Sequence, residues 1–331
     1  MSDKKIIIIT EAGQNYGFGH IVRCKALYDV FESFGLLPTI IIKGDSAVES
    51  IIANTRHIMF DWHSDILQLI QICNDTDICV VDSYHASIDI YYHLSVISKK
   101  LVVFDDYNRL EYPPQTYIIN GLLNVDSGIY QNQQKATVLA GIEYQCVRSI
   151  FWNLPEKKIQ KKIHKVMITV GANDIRNIIP IITKNTLNVY QEAEIHIVVS
   201  STSGNIELIQ SLKKLGNILI HINPNEQELL EIMQECDFAI SASGQTLCEL
   251  ACCGIPGISI SVIDNQLEHA KSWDALECFD IAGVWDEVDF EKRLIQRLEK
   301  IEDYEYRLYH SRKLQSIITG NGAKKIVESL L

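Results

Sequence analysis

The chain has 331 residues, of which 47% are apolar and 22% charged, and its net charge is −12. That length fits two domains of ordinary size, and the composition is sufficient for a large buried core. The acidic balance argues against a nucleic-acid binder, whereas a phosphate ligand is still allowed because backbone N–H groups can bind it.

The first half of the chain alternates strand-like and helix-like segments. Four successive isoleucines predict a buried first strand, which is followed by a glycine loop and by a helix that ends near Gly35. Later apolar runs separated by helices predict a parallel sheet covered on both faces. The predicted strands are Ile6–Thr10, Thr39–Ile42, Asp77–Asp82, Leu101–Asp105 and Ile118–Asn120, and the later helices are Ile66–Cys73 and Tyr91–Ser98. Ligands are expected beyond the carboxyl ends of these strands.

The stretch 153–165 is polar and basic, which is typical of a linker. After it, a second series of strands and helices begins with another glycine loop. The predicted strands are Lys165–Val170, Ile195–Ser200, Ile218–His221, Phe238–Ser241 and Gly257–Ser261, and the helices are Ile206–Leu215, Glu226–Cys236 and Leu247–Cys253. We therefore expect an α/β protein of two doubly wound, Rossmann-like domains facing a cleft. The first spans 1–153, and the second spans 164–331 with the terminal helices.

Nine scattered cysteines contain no Cys-x-x-Cys pair. Buried free thiols in a reducing compartment are the expected state, so the sequence predicts a cytoplasmic protein without zinc. The apolar run near the N-terminus is too short for a signal peptide, and no segment is long enough to span a membrane. A monomer is the expected oligomeric state.

The sharpest local motif is the glycine loop Tyr16-Gly-Phe-Gly-His-Ile-Val-Arg23. Gly17 and Gly19 permit a positive φ or a close backbone approach to a ligand. His20 falls in the first helical turn, where the helix dipole keeps the ring neutral, as a general base requires. Arg23 is placed one turn later to orient a ligand. The alternatives are a simple hydrogen bond at the loop-to-helix junction for His20 and an ion pair for Arg23.

A loop of small residues, Ser241-Ala-Ser-Gly-Gln-Thr246, precedes a predicted helix in the second domain. Such a loop favours an anion site, here for phosphate. The alternative is a capping box, in which Thr246 and Glu249 satisfy the N–H groups of the helix without a ligand. Gly171-Ala-Asn-Asp174 is a weaker candidate of the same kind.

Polar side chains also follow other predicted strands. The amides of Asp264-Asn-Gln266 suit a hydroxyl or acetamido group, or they form an ordinary turn. The carboxylates of Asp82-Ser-Tyr84 and Phe104-Asp-Asp106 either face a ligand or cap the following helices. Asn124 lies in a predicted loop, and Arg148 is placed near the domain boundary for a hinge ion pair.

Taken together in chain order, these motifs resemble the UDP-2,4-diacetamido-2,4,6-trideoxy-β-L-altropyranose hydrolase family of bacterial pseudaminic acid synthesis. That family has the two-domain GT-B fold and is similar to the peptidoglycan N-acetylglucosaminyl transferase. The resemblance covers roughly Ile6 to Gly283. The matching stretches are 17–23, 81–84, 104–106, 120–124, 141–148, 167–174, 241–249, 254–256 and 264–266.

The resemblance implies roles for these residues. His20 would activate water for attack at the anomeric carbon, so that UDP leaves by C–O cleavage with inversion. Tyr84 and Asn265 would hold the sugar. The diphosphate and ribose would be held by Ser243, Gly244, Thr246 and Glu249. The other expected substrate-binding residues are Gly17, Gly19, Arg23, Asn124, Arg148, Gly171, Asn173 and Gln266. The resemblance implies neither cofactor nor metal, since helix dipoles would stabilise the leaving group.

Two positions depart from the family pattern. Glu11 stands where the family has an Asp, in a stretch that lacks the family's Arg, and this leaves the identity of the sugar open. Ala172 replaces the second glycine of a Gly-Gly pair, which weakens the predicted phosphate loop.

The sequence thus predicts a metal-independent nucleotide-sugar hydrolase whose partner is a UDP-sugar. The first alternative is a GT-B glycosyltransferase, in which an acceptor hydroxyl replaces water. Transferases with lipid acceptors tend to carry a basic or apolar docking face in the first domain, and the absence of such a face in this sequence favours the hydrolase. The second alternative is a nucleotide-sugar binding protein without catalysis.

Overall fold

Two parallel β-sheets, one in each of two units, organise the chain. The structure, a computed structural model, describes residues 4–13, 16–123, 125–171, 173–263 and 266–331. Asn124, Ala172 and Asn265 therefore lie outside the described residues. The first unit comprises Met1–Ser149 and Gly320–Leu331, and the second comprises Ile150–Thr319.

The strands of the first sheet are β1 (Ile6–Ala12), β2 (Thr39–Gly44), β3 (His57–Met59), β4 (Thr76–Asp82), β5 (Ser98–Phe104), β6 (Tyr117–Asn120) and β7 (Thr137–Ala140). They run parallel in the order β3-β2-β1-β4-β5-β6-β7. The central strand β1 is buried along its whole length, as expected where helices cover both faces. The strand order reverses between β1 and β4, which makes their carboxyl ends the topological switch point where such sheets bind ligands.

The helices that follow these strands are α1 (Gly19–Ser33), α2 (Glu49–Ile52), α3 (Ile66–Cys73) and α4 (Ile88–Ile97). Ile21, Cys24, Leu27 and Phe31 line the buried side of α1 at helical spacing. Because α1 begins just after β1, it places His20, the predicted catalytic histidine, at the edge of the sheet.

The second sheet contains β8 (Lys165–Thr169), β9 (Glu194–Val199), β10 (Ile218–Ile222), β11 (Phe238–Ala242), β12 (Gly257–Ser261) and β13 (Asp280–Val284). Its parallel order is β10-β9-β8-β11-β12-β13, so its switch point lies between β8 and β11. The helices of this unit are α5 (Ile179–Val189), α6 (Ile206–Ser211), α7 (Glu226–Glu235), α8 (Thr246–Cys252), α9 (Gln266–Ala275), α10 (Phe290–Lys300) and α11 (Tyr304–Ile317).

The last helix, α12 (Gly322–Leu330), belongs to the first unit, whereas we expected all terminal helices in the second domain. Its buried Ile326, Val327 and Leu330 pack it against the first unit, where it contacts α1. Gly322 permits a close approach, because a Cβ at this position would lie 2.1 Å from the carbonyl oxygen of Gln145.

All nine cysteines are free and buried, as the sequence predicted. Among the described residues, no helix combines the length and the apolar character that a membrane crossing requires. The predicted fold class of two doubly wound α/β units is confirmed.

Candidate functional site

His20 and Asp82 meet at the switch point of the first sheet. His20 is the second residue of α1, Asp82 is the last residue of β4, and Nδ1 of the imidazole lies 2.6 Å from Oδ1 of the carboxylate. Burial raises the pKa of Asp82, but Arg23 and His20 lower it by more, so this pKa lies well below its ordinary value. The ionised carboxylate therefore accepts a hydrogen bond from Nδ1–H, which leaves the lone pair of the neutral ring on Nε2. Within the described part of the chain, Nε2 has no hydrogen-bond partner.

Arg23 pairs with two carboxylates below the imidazole. Its Nε and Nη2 donate to the two oxygens of Asp82 at 2.5 and 2.6 Å, and its Nη1 donates to Asp106 at 2.9 Å. The guanidinium also lies over the ring of Phe104, 4.6 Å from its centroid. The bidentate pairing fixes the orientation of Asp82 and, through it, that of His20. Arg23 thus belongs to a largely buried ion-pair network next to the imidazole and not to an exposed surface pair.

Tyr84 is tied to the same cluster. Its hydroxyl donates to Oδ2 of Asp106 at 2.6 Å, and its ring meets the imidazole of His20 edge-on with centroids 4.5 Å apart. Burial and the neighbouring Asp106 carboxylate raise the pKa of Tyr84 well above its ordinary value, so the phenol stays protonated. The four side chains around His20 are therefore held by one continuous set of hydrogen bonds.

Glu11 anchors the turn that carries Tyr84. This fully buried carboxylate at the end of β1 accepts from Nε2 of His63 at 3.0 Å, from the hydroxyl of Ser83 at 2.8 Å and from the backbone N–H of Tyr84 at 3.1 Å. Burial raises the pKa of Glu11, but the bonds from His63 and Ser83 lower it by more, and the carboxylate stays ionised. Glu11 is thus part of the hydrogen-bond network of the site.

The glycine loop before His20 is closed by its own backbone. Gly13 and Gly17 exchange hydrogen bonds of 3.0 and 2.8 Å, and Gly17 takes a φ of +78°. A Cβ at Gly17 or Gly19 would have no heavy atom within 4 Å among the described residues. The positive φ explains the glycine at 17, and the open space beside both glycines allows a ligand to approach the backbone.

The remaining polar residues of the first unit take other places. Asp105 accepts from the N–H groups of Tyr107 and Arg109 and stabilises its own loop, so it diverges from Asp106. Asn120 donates to the carbonyl oxygen of Asp106 at 3.1 Å and supports that residue from behind. Arg148 is half-buried in the segment after β7.

In the second unit, the small-residue loop joins β11 to α8. The alternative interpretation, a capping box at Thr246 and Glu249, is wrong: α8 has Gln245 as its N-cap, and Thr246 is already the first helical residue. Glu249 is buried in this helix. The carbonyl oxygen of Ser243 accepts from Nδ1 of His269 at 3.0 Å, which holds the loop in place.

The weaker candidates of this unit lie near its switch point. Gly171 has a φ of +94° and is exposed, and Asn173 accepts a hydrogen bond from Thr202 at 2.9 Å. Asp174 is buried and accepts hydrogen bonds from the backbone N–H groups at the start of α5, so its carboxylate stabilises the beginning of this helix. Gln266 opens α9 and accepts from the N–H of Val262 at 3.0 Å.

The pairing of His20 with Asp82 and the anchoring role of Glu11 were not predicted from the sequence. The signal for both is the strand register, in which Thr10 pairs with Asp82 and places Glu11 and Ser83 side by side. That register follows from the neighbouring positions of β1 and β4, which the chain order alone does not reveal. In the described ranges, no group of three His, Cys, Asp or Glu side chains could hold a metal ion.

The chain is similar to several known proteins. A family model described as lipid-A-disaccharide synthetase matches residues 152–264, within the second unit. A Helicobacter pylori protein named pseudaminic acid cytidylyltransferase and UDP-2,4-diacetamido-2,4,6-trideoxy-β-L-altropyranose hydrolase is 23% identical over 268 residues. The match covers 80% of this chain and 45% of that protein, so the chain spans less than half of this relative.

A second distant relative is the spore coat polysaccharide biosynthesis protein SpsG of Bacillus subtilis. It is 22% identical over 333 residues, and the match covers 98% of this chain and 96% of that protein.

Solved structures show the fold. MurG of Acinetobacter baumannii matches with a TM-score of 0.69 at 13% identity over 98% of this chain and 99% of that one. WaaG, a glycosyltransferase involved in lipopolysaccharide biosynthesis, matches with a TM-score of 0.62 at 12% identity over 98% and 99%. The chain therefore has the GT-B fold of such glycosyltransferases.

Proposed function

We propose that this protein is a hydrolase that releases UDP from a UDP-linked 2,4-diacetamido-2,4,6-trideoxy sugar in nonulosonic (pseudaminic) acid biosynthesis. The observation that carries the proposal is the pairing of His20 Nδ1 with the buried, ionised Asp82. A neutral histidine held in this tautomer presents the basic Nε2 to a water molecule. The distant relationship to the hydrolase of Helicobacter pylori supports the choice of substrate.

In the proposed reaction, Nε2 of His20 removes a proton from water as its oxygen attacks the anomeric carbon. The bond between that carbon and the diphosphate oxygen breaks, its electron pair leaves with UDP, and the configuration inverts. Asp82 stabilises the imidazolium that forms, while Arg23 keeps Asp82 in place. Tyr84, whose position is fixed by Asp106 and Glu11, contacts the sugar.

On the nucleotide side, we propose that Ser243, Gly244 and Thr246 hold the diphosphate and that Glu249 holds the ribose. This assignment is supported by the family model, which ends at residue 264 and includes the whole loop. The absence of a capping box at Thr246 leaves this hydroxyl without that structural explanation. Gly171, Asn173 and Gln266, close to the same sheet edge, complete the proposed nucleotide site.

The second candidate function is transfer of the sugar to an acceptor hydroxyl. It is favoured by the synthetase family model and by the glycosyltransferase fold. Incubation of the protein with UDP-linked diacetamido sugar alone separates the two functions. The hydrolase produces UDP and free sugar without an acceptor, whereas a transferase produces neither at a comparable rate.

The His20→Asn variant tests the catalytic assignment. Without a basic nitrogen at this position, turnover should fall by roughly 10²–10⁴-fold, while the affinity for UDP should stay close to that of the wild type. The matched control is His93→Asn, because His93 is exposed on α4 and its Nδ1 donates to the backbone carbonyl of Asp89. Wild-type turnover in His20→Asn would refute the role of this histidine as the base.

A further inference from the structure

Four serines lie on or directly after two neighbouring strands of the second sheet. β11 and β12 pair in parallel with Ser241 opposite Ser259. Directly after β11, the N–H of Ser243 donates to the carbonyl oxygen of Ile260 at 2.9 Å, which places Ser243 beside Ser261. The alternating residues of these strands pack in the apolar core of the unit: Ile240, Ala242, Ile258, Ile260 and Val262. Because successive side chains point to opposite faces of a sheet, the four serine side chains lie on the other face.

The inner pair of serines, Ser241 and Ser259, lies farther from the carboxyl edge and has hydrogen-bond partners within the sheet. Ser241 donates to the carbonyl oxygen of Ala242 at 3.0 Å, and Ser259 donates to that of Asp280 at 3.5 Å. The outer pair, Ser243 and Ser261, has no such partners among the described residues. The hydroxyls of Ser243 and Ser261 are buried, with 1% exposure for each residue, and neither has a hydrogen-bond partner among the described residues. Buried hydroxyls are normally paired, so two adjacent exceptions require an explanation.

Both hydroxyls lie at the carboxyl edge of the sheet, where doubly wound folds bind their ligands. Gly244 follows Ser243, and among the described residues a Cβ there would have only the amide nitrogen of Gln266 within 4 Å, at 3.8 Å. The backbone beside the hydroxyls therefore has room for a ligand atom. The loop itself is held by His269, which donates to the carbonyl oxygen of Ser243 through Nδ1 and accepts from Trp273 at Nε2.

We propose that Ser261 is a ligand-binding residue, whose hydroxyl donates together with that of Ser243 to phosphoryl oxygen of a nucleoside diphosphate. The identity of the ligand rests on the proposed function, whereas the residue itself lies outside every motif that the sequence singled out. An anionic phosphoryl oxygen forms strong hydrogen bonds with hydroxyl donors. Bonds to the ligand would satisfy both hydroxyls that the sheet leaves unpaired.

The Ser261→Ala variant tests the inference, because its affinity for UDP should fall without a loss of thermal stability. Removal of an unpaired buried hydroxyl should leave the thermal stability of the protein without ligand unchanged or higher. The affinity for UDP, measured by titration calorimetry, should fall by about tenfold or more because a charge-assisted hydrogen bond is lost. Ser261→Cys, whose thiol is slightly larger and donates only weakly, should lose affinity in the same direction.

Ser259→Ala is the matched control, because Ser259 lies on the same strand and face but already has a partner. It should bind UDP with wild-type affinity. Equal affinity in Ser261→Ala and wild type overturns the inference alone, and so does a loss of affinity that comes with lower thermal stability. Failure of the wild-type protein to bind UDP overturns both the inference and the nucleotide part of the proposed function.

Discussion

The imidazole of His20 is surrounded by fixed charges of both signs. A carboxylate about 4 Å from an imidazolium contributes about 4 kcal/mol at an effective dielectric constant of about 20, against roughly 0.3–1 kcal/mol for a helix dipole. Asp82 therefore outweighs the dipole of α1 as a partner of the ring. Arg23, whose Nη2 is 3.4 Å from Nδ1, opposes part of that attraction. The hydrogen bond from Nδ1 to Asp82 fixes the tautomer and the orientation of His20.

The Asp82→Asn variant tests this role. An amide at position 82 can donate to Nδ1 and so favours the tautomer with the proton on Nε2, where it cannot act as a base. We expect kcat to fall by roughly 10²–10⁴-fold with a much smaller change in KM. Steady-state release of UDP measures both constants. Asp77→Asn, at the opposite end of β4, should keep the wild-type kcat. A wild-type kcat in Asp82→Asn would show that this carboxylate does not set the tautomer.

Because of Glu11, the free energy of unfolding should depend on pH in the acidic range. Its pKa in the folded protein is below the ordinary value of 4.5, since the bonds from His63 and Ser83 outweigh the effect of burial. The unfolded chain therefore takes up a proton first, and the stabilisation is complete above pH 4.5 and is lost as pH falls through the lowered pKa.

In the Glu11→Gln variant, the free energy of unfolding should be lower at neutral pH and should change less below pH 4.5 than in the wild type. Urea unfolding at a series of pH values measures this difference. Glu32→Gln is the control, because Glu32 is exposed on α1 and should leave the curve unchanged. Parallel pH curves for wild type and Glu11→Gln would contradict the assigned interactions.

Among the secondary-structure elements, those with uninterrupted apolar sequence were predictable. The isoleucine run of β1 reflects burial of both faces of the strand. The helical spacing of the apolar residues in α1 reflects burial of one face of the helix. The edge strand β3 was missed, because all three of its residues are exposed and carry no burial pattern. β13 was missed as well, since Gly283 interrupts it with a φ of +102°.

The candidate site was predictable to the extent that it depends on local sequence. Gly17 and His20 occupy a loop and a helix start that neighbouring residues define. Asp82 pairs with His20 from 62 positions away, and Asp106 pairs with Arg23 from 83 positions away. Only the strand order brings these residues together. The same holds for Ser261, whose position beside Ser243 depends on strand register.

Helix α12 gives a prediction for the first unit. Ile326 is fully buried in the helix that contacts α1, so Ile326→Ala should lower the free energy of unfolding by about 2–5 kcal/mol. Lys324→Ala on the exposed side should change it little. Hydrogen exchange resolves the location: protection should fall in α1 while α5 of the second unit keeps its protection. An equal loss in both helices would contradict the division into units.

For the whole molecule, the buried thiols allow a chemical measurement. Burial raises the pKa of Cys146, Cys236 and Cys252 to about 12 and that of Cys278 to about 11. Thiolates are therefore scarce at pH 8, and a disulfide reagent should react slowly with the native protein. After unfolding, all nine cysteines should react at once. Rapid reaction of several thiols in the native state would contradict their burial.

The GT-B architecture does not determine the class of reaction. GT-B proteins share their architecture across different reactions, so the class of reaction depends on the site and not on the sheets. For this reason the choice between water and an acceptor hydroxyl rests on the groups around His20 and on the assay with UDP-sugar alone.

The return of α12 to the first unit has a consequence for synthesis in the cell. The chain leaves the first unit after Ser149 and re-enters it at Gly320, so the second unit is an insertion within the first. During translation, every residue of the second unit emerges from the ribosome before α12 is available. We expect a nascent chain halted before residue 320 to contain a folded second unit and a first unit that still exposes the part of α1 that α12 covers, a binding site for a chaperone.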